Sequence, residues 1–420
     1  MSVVFSRYPA GRGAARHRCL VVLLVTLGCA GARAVDPPVP PSSPSAGPPF
    51  RLVRAEAGML PGSVLAGRSM EAAMVDIDRD GDLDVVVARE FEAALILVND
   101  GTGRFTDDRT RLPQVVRDYE DIAITDVDGD GDPDVVLVAE DDLPGTAHRL
   151  KHQLYLNDGA GRFTDASSRI PVRSDANAVV AGDLDGDGDP DLVLGNAGPE
   201  LVLLNDGTGR FVESVGAIPA SPDVTQDVVL GDVDGDSDLD LVIANESEGP
   251  NLLLLNDGRG RFAAAPTPLP TRATTEATRN ASLADMDGDG DLDLVFANVI
   301  FAGGDPQARL LRNAGGGRFE DVTSAQLPPG VQHCIDLEFA DIDRDGDSDL
   351  LGTSFPAAAV GLYLNDGRGR FTRAPAAIFP EPVVVQGVEV EVGDVNGDGH
   401  RDLYVATFIE SADVLLLNRR

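Results

Sequence analysis

An all-β fold is what this sequence predicts: a seven-bladed β-propeller with four-stranded blades, its ring closed by an N-terminal strand that completes the last blade. Three observations lead there. One acidic nonapeptide recurs seven times, at intervals of 49 to 57 residues. Each copy sits in the same succession of short β-branched and apolar runs broken by Gly-rich turns, which is the pattern of strands and hairpins. The last copy also lacks a closing strand that the start of the repeat region can supply.

The chain has 420 residues, 43% of them hydrophobic, no Trp and a formal net charge of −36. Length alone would allow two or three domains, but an internal period points to one repetitive unit. At the start, Arg7, Arg12, Arg16 and Arg18 precede the apolar run from Cys19 to Gly28 and then Ala32-Arg33-Ala34. That order reads as a secretory signal over residues 1–34, too short to span a bilayer stably, with cleavage expected after Ala34. A rival reading makes Cys29 a lipid anchor, although Thr26 stands where the bacterial lipobox has Leu. Either way the mature chain is expected to be secreted or held in the cell envelope, in the periplasm or at the cell surface, with no transmembrane segment after signal cleavage. Cleavage leaves Cys334 as the remaining cysteine, so no intramolecular disulfide can form. Residues 35–49, VDPPVPPSSPSAGPP, form a Pro/Ser-rich linker with no apolar periodicity. The propeller is assigned to residues 50–420.

Within each repeat a short apolar stretch enters the acidic loop and a β-branched run leaves it, as in DVVVA from Asp84 or DLVIA from Asp240. A third strand follows and ends in Asn: Asn99, Asn157, Asn205, Asn256, Asn313, Asn365 and Asn418. Six of these continue through a Gly-rich turn to an aromatic, at Phe105, Phe163, Phe211, Phe262, Phe319 and Phe371. The seventh stops short, while an orphan PFRLVRA begins the ordered region with Phe50. Phe50 to Ala55 would therefore complete the blade built from residues 377 to 418, and closure removes two exposed sheet edges.

The loops carry the chemistry. Carboxylates at positions one, three, five and nine, with the backbone carbonyl of position seven, form an oxygen ligand set for a hard dication. The candidate ligands are Asp76, Asp78, Asp80, Asp82 and Asp84 in the first loop, and Asp126, Asp128, Asp130, Asp132 and Asp134 in the second. The third has Asp183, Asp185, Asp187, Asp189 and Asp191; the fourth has Asp232, Asp234, Asp236, Asp238 and Asp240. Asp285, Asp287, Asp289, Asp291 and Asp293 make the fifth, and Asp341, Asp343, Asp345, Asp347 and Asp349 the sixth. The seventh departs from the pattern, with Asp394, Asn396, Asp398, His400 and Asp402, and is expected to bind most weakly. Unneutralised, these clustered charges would repel at substantial cost, so calcium at about seven sites is the expected cofactor. An EF-hand is excluded because Val87, inside a strand, stands where that motif needs Glu. Gly at position six supplies a positive φ, and Ser237 at that place in the fourth loop should add roughly 1 kcal/mol of strain. An ion at ten times its dissociation constant contributes about 1.4 kcal/mol per site, on the order of 10 kcal/mol for seven, so the metal is expected to be structural.

The unit DxDxDGDxDL followed by LLNDGxGRF resembles the FG-GAP or VCBS-type repeat, related to the calcium-bearing blades of integrin α-subunit propellers and to some fungal lectins and bacterial surface proteins. The literal FG and GAP tripeptides are poorly represented, and no helical insert domain is visible. The resemblance implies a Ca²⁺-stabilised propeller used in adhesion or glycan recognition, but a fold does not fix a ligand.

Acidity argues against nucleic acid as a partner. A protein or carbohydrate ligand is expected on the face opposite the calcium loops, where the connections vary. Five residues before each loop stand Glu71, Asp121, Ala178, Asp227, Asn280, Asp336 and Glu389, and the second strands end near Asn245 and Asn298. Asp121, Asn245 and Asn298 are the candidate ligand platform at the channel mouth, although such mouths are polar in any case. The long insertion from Glu140 to Gln153 gathers His148, Arg149, Lys151 and His152 as a candidate docking loop for an acidic partner. There is no nucleophile elbow, His-rich cluster or phosphate loop, and Cys334 and His333 should point to opposite faces of a strand. The expected function is a non-enzymatic recognition or adhesion module with no catalytic residues. The alternatives are a polysaccharide-active lyase or hydrolase on a propeller scaffold and an architectural subunit of a cell-envelope complex.

Overall fold

The computed structural model describes residues 50–420 apart from 67, 141–150, 221–222, 247–248, 273–275, 300–304, 355–358, 380–382, 384–385 and 409–410. The expected signal segment, Cys29, the linker, His148 and Arg149 lie outside the described residues. Seven antiparallel sheets follow one another along the chain. Blade 1 runs Ser69–Val75, Asp84–Arg89, Leu95–Asn99 and Phe105–Asp107, from the axis outward. The inner strands of blades 2 to 7 are Val116–Thr125, Ala176–Gly182, Thr225–Gly231, Thr278–Ala284, Cys334–Ala340 and Gly387–Gly393. Blade 2 gains a fifth, two-residue strand where Glu92–Ala93 pairs with Val116 and Arg117.

The ring closes as the sequence predicts. Arg51–Arg54 pairs antiparallel with Val414–Arg419, setting Leu52 opposite Asn418, and Ala55 N–H donates to the Leu415 carbonyl at 2.9 Å. Phe50 and Leu52 are buried among Val405, Val414 and Leu416.

Each second strand is buried at nearly every position because it is covered on both faces. Val85 and Val87 pack toward Tyr404, Ala406 and Leu415 of blade 7, whereas Val86 and Ala88 pack toward Val135, Leu137 and Tyr155 of blade 2. This is why these runs are continuously apolar instead of alternating. One such hydrophobic cluster fills each of the seven gaps between blades.

The two faces of the disc differ in regularity. Eight residues always separate the first and second strands, and five separate the third and fourth in blades 1 to 6. On the opposite face the second-to-third connections range from four residues at 197–200 to twelve at 141–152. Every inner strand also has a register irregularity at the same place, between Ser69 and Glu71 in blade 1 and at the matching pair in the other six. A bulge of this kind re-aims the side chains beside it.

Candidate metal centre

Each acidic loop is wound around its first carboxylate. Asp126 accepts the backbone N–H groups of Gly129 at 2.8 Å, Asp130 at 3.2 Å and Gly131 at 2.8 Å. That winding needs left-handed backbone at two places. Position six has it as expected, including Ser237 at φ +76°; position four has it too, at Gly129 and, without glycine, at Arg79 and Arg344. The Gly at position four in five of the loops was the sequence signal for this second turn.

The ninth residue does more than face a metal. Asp191 is fully buried; one oxygen accepts Leu184 N–H at 3.0 Å and the other Asn205 N–H at 2.7 Å. The same pair of bonds recurs at Asp84, Asp134, Asp240, Asp293, Asp349 and Asp402. Burial pushes these carboxyls up, to about 7 for Asp84 and Asp134 and about 6 for Asp191, with the backbone bonds opposing the shift.

Positions one, three and nine converge. In each of the first four loops one oxygen from each of the three lies within 4.8 Å of the others, as for Asp76, Asp78 and Asp84. The third residue has a buried oxygen without a hydrogen-bond partner in four loops, Oδ1 of Asp78, Asp128, Asp185 and Asp287. Burial, then the neighbouring position-five carboxylate, pushes Asp185 and Asp287 up. An orphaned anionic oxygen beside two other carboxylates fits a hard dication.

The remaining candidate positions are arranged differently. Position five is outside the converging set, and in the first loop Asp80 accepts Asp82 N–H at 3.0 Å. In loops one to four and six the position-seven side chain rests against the Asn-Asp-Gly turn, where a Cβ on Gly258, for example, would stand 2.6 Å from Asp238 Oδ2, so only glycine fits. In the seventh loop the Asn396 amide donates to Asp402 Oδ2 at 2.8 Å, and His400 N–H donates to Asp398 at 2.9 Å. The amide thus occupies, in this loop, the side of the ninth-residue oxygen that in the first four loops is shared with a third-position carboxylate.

The strand-ending Asn, whose role could not be read from the sequence, ties each loop to the next. Asn157 Nδ2 donates to Pro133 O in its own loop at 3.1 Å and to Ile77 O in the loop of blade 1 at 2.8 Å. Its Oδ1 accepts Gly159 and Gly161 N–H at 3.2 and 3.1 Å. Asn205, Asn256, Asn313, Asn365 and Asn418 reach the preceding blade in the same way, and Asn99 closes the circle on Val395 O at 2.7 Å.

A model described as the FG-GAP-like repeat matches residues 76–137, 145–194, 183–243, 232–296, 297–352 and 341–405. The chain belongs to the FG-GAP-like repeat family. No curated protein matches it. Among solved structures, this FG-GAP propeller is similar to the BP39L lectin from Burkholderia pseudomallei at 12% identity and a TM-score of 0.59, covering 84% of this chain and 96% of that one. It is also similar to BBS1N, solved in complex with ARL6DN, at 12% identity and a TM-score of 0.55, covering 88% and 97%. At such identities the likeness concerns the propeller fold.

The expected ligand platform of the FG-GAP propeller needs correction. Asn245 and Asn298 are fully buried at blade edges. Asn245 accepts Thr225 Oγ1–H at 3.1 Å and donates to Pro250 O at 2.8 Å; Asn298 accepts Thr278 Oγ1–H at 2.8 Å and donates to Gln307 O at 2.9 Å. They brace connections and present nothing to a ligand. Asp121 does line the axial cavity, yet it also bridges blades, accepting Ile122 N–H at 2.6 Å and Val179 N–H of blade 3 at 2.7 Å. Asp227 accepts Ala281 N–H at 2.7 Å, Asn280 accepts Leu337 N–H at 3.2 Å and Asp336 accepts Val390 N–H at 2.9 Å in the same manner. From the docking-loop group, His152 is buried with Nε2 3.0 Å from Ser174 Oγ, and burial holds its imidazole down at about 4, so it adds no surface charge. Cys334 is a buried free thiol pushed up to about 12, which removes the thiolate a nucleophile requires. Among the described residues no helix is long and apolar enough to cross a membrane.

Proposed function

We propose that this protein is an exported calcium-binding β-propeller acting as a non-enzymatic recognition or adhesion module for a protein or glycan ligand. The observation that carries the calcium reading is the orphaned position-three oxygen beside the converging carboxylates of positions one and nine. In that arrangement Asp76, Asp78 and Asp84, and their equivalents in the following loops, would hold the ion. Calcium supplies positive charge that lets buried carboxylates ionise without repulsion. The chain's own part is to wind each loop around its first Asp and to fasten it, through the ninth Asp and the strand-ending Asn, to its own third strand and to the preceding blade. The ion's role is therefore structural.

The binding reading is supported by the propeller fold shared with a lectin and with a protein solved in complex with another protein. It is supported as well by the contrast between faces. Loops of fixed length occupy the metal side, and connections of four to twelve residues occupy the other. Variable loops on a rigid frame are the usual place for a recognition surface, so we assign the ligand to that side.

A glycan and protein array, probed with the purified protein in calcium and again in chelator, tests both halves. Calcium-dependent binding to a defined glycan or protein is expected. Turnover of a polysaccharide on the array would overturn the non-enzymatic reading. Calorimetry without divalent uptake would overturn the calcium reading.

A further inference from the structure

The acidic loops are alike in their own residues but not in the cations around them. After the outer strand of most blades the chain runs through a Leu-Pro or Ile-Pro pair, and the residue before that pair lies beside the acidic loop of the blade just completed. Met59, Arg111 and Arg169 show this, each packing on a turn glycine, Gly103, Gly161 and Gly209, that also meets Asn396, Asp78 and Asp128 respectively. After blades 3, 4 and 5 the same place holds Ala217, Pro268 and Gln326, none of them charged. A cation stands there after blades 1 and 2.

Arg111 is built into its position. Its carbonyl accepts Phe163 N–H at 2.8 Å, its Nε donates to Asp108 Oδ2 at 3.2 Å, and its Nη1 donates to Ala160 O at 3.1 Å and to Asp78 Oδ2 at 2.9 Å. Asp78 thus has one oxygen on a guanidinium, while its orphaned Oδ1 is left for the site formed with Asp76 and Asp84. Arg169 is held by Thr208 O at 2.6 Å with its Nη1 3.9 Å from Asp128 Oδ2, and the same loop receives a second cation, Arg79, 2.6 Å from Asp132 Oδ1. In the seventh loop, where Asn396 has already removed one charge, Arg419 lies 3.2 Å from Asp398. Blades 7, 1 and 2 are neighbours across the closing seam. Among the described residues no ion pair reaches the nonapeptides of blades 3 to 6.

A guanidinium at the third carboxylate does part of what a metal ion does: it offsets like charge while the site is empty, and it repels a dication that arrives. We propose that Arg111 and Arg169 lower the calcium affinity of the loops of blades 1 and 2, so that the arc of blades 7, 1 and 2 is neutralised largely by the chain itself and blades 3 to 6 hold the tight calcium sites. The inference rests on the calcium reading above. One charged neighbour changes a carboxylate's affinity for a proton by about ten- to a thousandfold, so the two groups of loops are expected to differ by about tenfold or more in dissociation constant. The seam, where the first strand joins the last, then keeps its loops in order when calcium is scarce.

Calorimetric calcium titration of the full chain, first stripped with chelator, tests this against the double variant R111M/R169A, whose side chains copy those of Met59 and Ala217 at the matching places. The parent is expected to bind a tight and a weak class of ions, and in the variant two ions should move from the weak class to the tight one, with dissociation constants lower by about tenfold or more. Melting distinguishes this from a scaffold role: the variant should melt lower than the parent in chelator, and level with it or higher in saturating calcium. An unchanged tight class, or an equal loss of melting temperature in both conditions, overturns the proposal. A parent that takes up no calcium at all overturns the calcium reading, and the inference with it. Should the variant fail to fold, crystals of the parent soaked in limiting manganese decide: anomalous peaks at blades 3 to 6 ahead of blades 1 and 2 support the proposal, and equal peaks at all of them overturn it.

Discussion

Replacing Asn157 with alanine is the sharpest test of the idea that the loops are linked into a circle. The side chain makes four hydrogen bonds: Nδ2 to Ile77 O at 2.8 Å and to Pro133 O at 3.1 Å, and Oδ1 from Gly159 and Gly161 N–H at 3.2 and 3.1 Å. It is 5% exposed, so the groups left behind have little access to water. At about 1 kcal/mol for each bond, Asn157→Ala should cost about 4 kcal/mol. Asn205 provides an internal control. Its Nδ2 makes the equivalent bonds to Val127 O and Pro190 O at 2.8 and 3.1 Å, but its Oδ1 has no partner. Asn205→Ala should therefore cost about 2 kcal/mol, half as much. Urea unfolding in saturating calcium, analysed by linear extrapolation with the two m-values compared, measures both. If Asn205→Ala costs as much as Asn157→Ala, or if neither exceeds about 1 kcal/mol, the bridges do not hold the ring and the reasoning fails.

Three further outcomes follow from other parts of the structure. Asp185→Asn keeps the shape of a residue whose Oδ1 is orphaned, so it should be neutral or slightly stabilising in chelator and cost about 1.4 kcal/mol in calcium at ten times the dissociation constant; an equal loss in both conditions would make Asp185 a scaffold residue. In calcium-depleted buffer stability should fall as pH rises from about 4 toward about 8, because carboxyls held high in the fold, such as Asp227 at about 6, Asp84 at about 7 and Glu391 at about 8, bind protons there that the unfolded chain has already released. A melting temperature that climbs across that interval contradicts the assignment, and saturating calcium should flatten or reverse the slope. Leu52→Ala removes a side chain 1% exposed in the closing strand and should cost 2 to 5 kcal/mol, roughly what core truncations cost elsewhere; a silent substitution in thermal unfolding would mean that the N-terminal strand does not close the ring.

The sequence by itself determined the number of blades, the order of their strands and the partner of the last one, because each of these is a local pattern repeated at a fixed interval. Seven nonapeptides count the blades, and the completion of the last blade by the segment from Phe50 to Ala55 follows from a missing strand at one end and a spare one at the other. It also determined the acidic loops, since the residues that converge in the first four of them lie within nine positions of one another.

Only the tertiary structure decided what joins the blades. The Asn bridges to the preceding blade link residues 72 to 80 positions apart, or 296 at the closing seam, and no local pattern reports a partner at that distance. The same limit explains Asn245 and Asn298, polar residues that looked accessible by position and are buried by the connections folded over them. It explains the axial carboxylates too: Glu71, Asp121, Asp227, Glu338 and Glu389 lie at least 50 residues apart along the chain and come to line one cavity only when the inner strands are drawn around a common axis. Closure of the ring brings them together, because chain entropy otherwise keeps such distant like charges apart.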